Sequence, residues 1–106
     1  MLLRNYYRPA GHIVISEGVQ ISNTISADAT VPLEFLEFEL GYNLTATQTF
    51  QITWDQTYDY PVSIAVYPVF EETSGFVYED DVWEDDSLGY FVAKRALGDD
   101  IRVYRQ

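Results

Sequence analysis

From Leu36 to Trp54 the chain keeps a two-residue period for nineteen residues. The even positions read Leu36, Phe38, Leu40, Tyr42, Leu44, Ala46, Gln48, Phe50, Ile52 and Trp54, and the odd positions from Glu37 to Thr53 carry nothing apolar larger than Gly41. Successive side chains of a strand point to opposite faces. The pattern therefore predicts one face on a core and one Thr/Glu/Gln face in water. A slip by one residue would exchange the two faces, so the register is strongly specified. Unbroken, such a strand would run about 60 Å, too long for a domain of this size. Either Gly41 to Asn43 bends it into two strands, or it projects as a paired ribbon. A helix is the rival over Leu33 to Leu40, because Leu33, Leu36 and Leu40 sit at i, i+3 and i+7. Phe35 and Phe38 fall off that stripe and the alternation continues past Gly41, so the strand is preferred.

The rest of the chain also reads as strands. His12 to Ser16 forms a first short strand ending at Glu17-Gly18, and a second alternation runs from Val19 to Val31, broken on its apolar side only by Asn23. Pro32 ends it. Asp55 to Pro61 reads as a turn. Val62 to Phe70 is apolar on both faces and is expected to lie centrally in a sheet, with Pro68 limiting its pairing. Glu71 to Gly75 reads as another turn and Phe76 to Tyr78 as a resumed strand. Gly89 to Ala93 and Ile101 to Tyr104 are the last strands, separated by Ala96 to Asp100. Seven or so strands with short turns predict an all-β, single-domain antiparallel β-sandwich or barrel-like fold over residues 1–106, with two long amphipathic Ser/Thr-rich strands.

Composition agrees with a folded β-protein. The 106 residues fit one domain, and nine tyrosines and six phenylalanines favour strands. With no cysteine and one histidine, thiolate zinc sites, disulfides, cysteine nucleophiles and His-rich metal sites are excluded. No apolar run is long enough for a membrane-spanning helix, and the start, Met1 to Tyr7, does not read as a signal peptide.

The charge of −11 is unevenly laid out. All six bases (Arg4, Arg8, Lys94, Arg95, Arg102 and Arg105) lie near the ends, while fifteen of the seventeen acids lie between Pro9 and Ala93. Such a surface should repel itself at low salt and is not expected to bind a nucleic-acid backbone directly. A cation, a basic protein or the chain's own basic ends are better partners.

The densest candidate is the acidic run Glu79-Asp80-Asp81-Val82-Trp83-Glu84-Asp85-Asp86. Its simplest reading is a solvated hairpin loop. Calcium takes six to eight oxygens at short range, and Asp80, Asp81, Asp85 and Asp86 form the set from which such a site would be built, although the EF-hand spacing is absent. Recognition of a basic partner would use Trp83 as anchor with Glu79 and Glu84 beside it. No catalytic constellation stands out and no organic cofactor is expected. His12 lacks a nucleophile elbow or a patterned acid, so a structural role is expected. No P-loop or dinucleotide fingerprint is present, and nothing selects a glycosidase pair among the seventeen acids. Tyr58 and Tyr60 beside Pro61, and Tyr67 beside Pro68, would serve as an aromatic ligand platform, but their spacing favours core and cross-strand packing.

Three segments, Ile21 to Ala29, Glu37 to Thr47 and Ile64 to Phe70, together resemble a loose group of small secreted or surface β-proteins of Gram-positive bacteria. The resemblance covers about residues 18–78. The Ser/Thr-rich amphipathic strands are also similar to those of aerolysin-like and epsilon-toxin-like β-proteins, whose hairpins are soluble first and membrane-spanning later. The first group implies secretion or surface display, and neither carries a functional residue onto this chain. The leading expectation is thus a non-enzymatic structural, assembly or interaction module, such as a surface or filament subunit, that associates with itself or with a basic protein. The alternatives are a small acidic inhibitor of phage type, cytoplasmic, that mimics nucleic acid before a basic nuclease or DNA-binding protein, and a membrane-active β-hairpin protein.

Overall fold

The computed structural model describes residues 1–80 and 85–106, with the side chains of Asp80, Asp85 and Asp86 outside that description. The described residues are all-β apart from one short helix. The described residues form β1 (Arg4–Arg8), β2 (Gly11–Ser22), β3 (Thr24–Ala27), α1 (Leu33–Leu40), β4 (Thr47–Tyr58), β5 (Val62–Asp80) and β6 (Asp85–Arg105). They make two antiparallel sheets and no closed barrel: a four-stranded sheet in the order β1-β5-β6-β3, and the pair β2-β4. The packing divides into two compact units, and β5 and β6 supply residues to both.

Unit 1 comprises Met1–Ile21, Gln48–Phe70 and Ala96–Gln106. β1 pairs with β5 in the register Arg4↔Val66 to Arg8↔Val62. Alternation along β2 buries Ile13, Ile15 and Val19, and these meet Ile52 of β4 and Val62, Ile64 and Val66 of β5. Both sheets thus contribute to one aliphatic core. Burial of each such side chain is worth about 1.5–3 kcal/mol. Val62 to Val66 is buried on both faces, as its continuous apolar run predicts for a strand lying between β1 and β6. The half-buried aromatics Tyr6, Phe50, Trp54, Tyr58 and Tyr60 close the core.

Unit 2 comprises Ser22–Thr47 and Glu71–Arg95. Here β3 pairs with β6, Thr24↔Lys94 to Ala27↔Phe91. Val77, Phe91 and Ala93 on the inner face meet Val31, Leu36 and Leu44. Helix α1 opens after Pro32, whose ring pre-sets φ and whose missing N–H is not needed there. It closes at Gly41, which takes the left-handed φ of +81° and donates its N–H to the Glu37 carbonyl at 2.9 Å. The following turn is held by the Asn43 Oδ1, which accepts from the Thr45 N–H at 2.9 Å, and by the Asn23 Nδ2, which donates to the Asn43 carbonyl at 2.8 Å.

The structure corrects several expectations. Leu33 to Leu40 is a helix, not a strand. Its Leu36 alone is fully buried, whereas Phe38 stands 84% exposed, so the even-numbered alternation there is coincidental. From Thr47 the alternation lies on a true strand, β4, but Asp55 to Tyr58 continue it instead of turning. Glu71 to Gly75 and Ala96 to Asp100 are strand, not turns, so the short strands expected there merge into β5 and β6. β2 passes unbroken through Glu17-Gly18, and the strand expected to reach Val31 stops at Ala27. β1, within the tyrosine-rich start, was not anticipated.

Candidate functional site

The most distinctive surface lies on unit 2, on the side of the sheet away from its core. Alternation that turns Val77 inward turns Phe76 and Tyr78 outward, and alternation that turns Phe91 and Ala93 inward turns Tyr90, Val92 and Lys94 outward. Phe76, Tyr78 and Tyr90 are 61%, 58% and 41% exposed. Their rings form one cluster, with centroids 5.0 Å apart for Phe76–Tyr90 and 6.3 Å for Phe76–Tyr78, both tilted. Aromatic pairs at this spacing gain stabilisation beyond their area, so the rings support one another as a cluster.

The backbone beneath Tyr90 is fixed by Asp28. The Tyr90 N–H donates to the Asp28 Oδ2 at 2.9 Å, and the Asp28 N–H donates to the Tyr90 carbonyl at 3.1 Å. Gly89 makes this approach possible. It adopts a φ of +136°, and a Cβ there would stand 2.6 Å from the Asp28 Cβ. Thr30 adds a hydroxyl hydrogen bond to the Leu88 carbonyl. At the border of the platform a shallow cavity of about 350 Å³ opens between Pro32 and Phe35 on one side and Val77, Tyr78 and Glu79 on the other. Leu33, Phe35 and Phe38 of α1 are exposed as well.

Acidic groups accompany these apolar ones. Glu72 and Glu79 of β5 and Asp28 are exposed. Lys94 is the base on the outward register of β6, and Arg95 lies over the Tyr42 ring at 5.6 Å. Burial raises the Tyr42 hydroxyl pKa, Glu71 raises it further, and Arg95 opposes both.

The tyrosines weighed as a platform from sequence are used differently. Tyr58 and Tyr60 are half-buried against the core of unit 1, with ring centroids 6.1 Å apart. Arginine already covers two of the three: Arg105 lies 4.5 Å from the Tyr60 ring and Arg102 lies 5.0 Å from the Tyr67 ring. Arg8 similarly lies 5.4 Å from the Tyr6 ring. His12 pairs with Asp55 across β2 and β4, Nε2 to Oδ1 at 2.5 Å, on an exposed surface.

Of the acidic run, Asp81, Trp83 and Glu84 lie outside the described residues, as do the side chains of Asp80, Asp85 and Asp86. Glu79 is described and borders the cavity. Among the described residues no three carboxylate or imidazole groups gather as metal ligands, and no helix is long and apolar enough to cross a membrane. Sequence reasoning passed over Phe76, Tyr78 and Tyr90 because Phe76-Val77-Tyr78 is apolar at every position and offers no alternation to show which rings face outward. The partner strand gives no plainer signal, because Tyr90, Phe91, Val92 and Ala93 are apolar in unbroken succession. No family model, no curated protein and no solved structure matches this chain.

Proposed function

We propose that the chain is a non-enzymatic interaction module that holds a protein partner on the outer sheet face of unit 2. The supporting observation is the exposed ring cluster of Phe76, Tyr78 and Tyr90. Aromatic side chains dominate the energetics of protein interfaces, and contiguous exposed apolar surface costs solubility unless it is used. Here the rings lie on a hydrogen-bonded sheet and lose little entropy when covered. A surface or filament subunit is the self-associating form of the same reading.

The test compares wild type with a Phe76→Ser, Tyr78→Ser, Tyr90→Ser variant. Immobilised wild type should retain a defined set of host proteins that the variant, with unchanged circular dichroism, releases. Light scattering on both across a concentration series reports self-association. Equal retention by the two proteins, together with identical masses in solution, would sink the proposal.

A further inference from the structure

Resting on that reading, we infer that the partner presents arginine-rich basic chain to the Phe76/Tyr78/Tyr90 platform, which takes guanidinium groups on its ring faces. Two observations carry this independently. The first is charge. The segments of unit 2 hold twelve of the seventeen acids and two of the six bases, a formal charge of −10, whereas those of unit 1 hold five acids and four bases. Leaving out residues 80–86, unit 2 still has seven acids against Lys94 and Arg95. Glu72 shares the outward register of Phe76 and Tyr78, Glu79 follows Tyr78, and Asp28 holds the Tyr90 backbone. A second copy of the same face would bring like charges together, which disfavours it as occupant.

The second is the chain's own use of arginine. Four of its five arginines, Arg8, Arg95, Arg102 and Arg105, lie over tyrosine rings at 4.5–5.6 Å. Among the described residues no cation covers Phe76, Tyr78 or Tyr90 in this way, although exposed Glu72 and Glu79 lie on the same strand as two of these rings. A ring face attracts a cation through its quadrupole, and nearby carboxylates strengthen the attraction while leaving the planar guanidinium free to stack. Arginine fits better than lysine, whose strongly hydrated ammonium resists transfer onto a ring.

The probe is a peptide of nine arginines, with nine lysines as the charge-matched comparison, titrated into the full chain at about 150 mM salt, where long-range attraction is screened. The variant is Phe76→Leu, Tyr78→Leu, Tyr90→Leu, which keeps apolar area and net charge and removes the rings. The arginine peptide should bind wild type at least tenfold tighter than the variant and tighter than the lysine peptide binds wild type. It should also shift the ring-proton resonances of Phe76, Tyr78 and Tyr90. Those shifts in wild type decide the matter even if the variant does not fold. Equal affinity for wild type and variant, unshifted ring resonances, or absence of binding overturns the inference. So does a wild-type dimer that the arginine peptide fails to displace and that the leucine variant does not form. Should the serine variant lose host partners that the leucine variant keeps, the face is an interface that reads apolar area. The cation reading then fails while the module reading stands.

Discussion

Gly89 and Gly41 both have positive φ, yet they answer to different constraints. At Gly41 (φ +81°) a Cβ would meet nothing within 4 Å. Gly41→Ala therefore pays only for the left-handed backbone, about 1 kcal/mol. At Gly89 (φ +136°) the added Cβ would stand 2.6 Å from the Asp28 Cβ and 3.1 Å from a Val31 methyl. Gly89→Ala must displace the backbone that pairs Asp28 with Tyr90, at a cost of roughly 2–4 kcal/mol. Denaturant titration of the two variants checks the ranking, and equal losses would show that the Asp28 approach is not tight in solution. Tyr6 makes a separate prediction. Burial raises its hydroxyl pKa above 10.0, and its hydrogen bond to the Glu17 carboxylate raises it further. The folded state holds this proton more tightly than the unfolded state. The resulting stability is fully present below pH 10 and disappears as pH rises through the folded value. Stability measured by urea unfolding between pH 9 and 11 should fall less steeply in Tyr6→Phe than in wild type, and identical slopes would contradict the assignment.

Helix α1 shows how one pattern can be read at two periods. Leu33, Leu36 and Leu40 give the helical spacing and Leu36, Phe38 and Leu40 the strand spacing, so hydrophobicity alone could not choose between them. What chose was punctuation: Pro32 before the first turn and Gly41 after the last are a helix start and stop. Burial gives the test. Leu36 is 3% exposed inside the core of unit 2 and Phe38 is 84% exposed. Leu36→Ala should therefore cost about 2–4 kcal/mol, and Phe38→Ala within about 0.5 kcal/mol. On a strand with even residues inward the two would have cost the same, so comparable losses in thermal unfolding would refute the helix. The strands were more legible where one face is wet. β4 and the first half of β2 follow their alternation, and the two-sided run at Val62 correctly marks an inner strand. The turns were not legible, because Glu71-Glu72-Thr73-Ser74-Gly75 and Ala96 to Asp100 carry turn-forming residues that sheet pairing overrides. The ring platform was hidden for a related reason: only pairing partners tell which of Phe76, Val77 and Tyr78 faces out.

Across the whole molecule, apolar burial and charge follow different divisions. Each unit has its own core, built on Ile52, Ile64 and Val66 in unit 1 and on Leu36, Leu44 and Phe91 in unit 2. The charge is not shared in this way, since unit 2 carries −10 of the total −11. Self-repulsion therefore acts mainly within unit 2, where Lys94 and Arg95 cannot balance twelve acids. Function and stability pull against each other there: the field that would draw an arginine-rich partner also loosens the fold that presents the rings. Salt separates the two effects. Raising sodium chloride from about 10 mM to about 300 mM shortens the Debye length from about 30 Å to under 10 Å and should raise stability by roughly 1 kcal/mol. Hydrogen exchange locates the gain. Slow amides of β3 and of Phe76, Val77 and Phe91 should become more protected with salt, while those of Ile13, Ile52 and Ile64 change little. A uniform increase along the chain would mean that the repulsion is felt across the whole fold and not mainly within unit 2, and the acidic unit would then supply no special attraction for a basic partner.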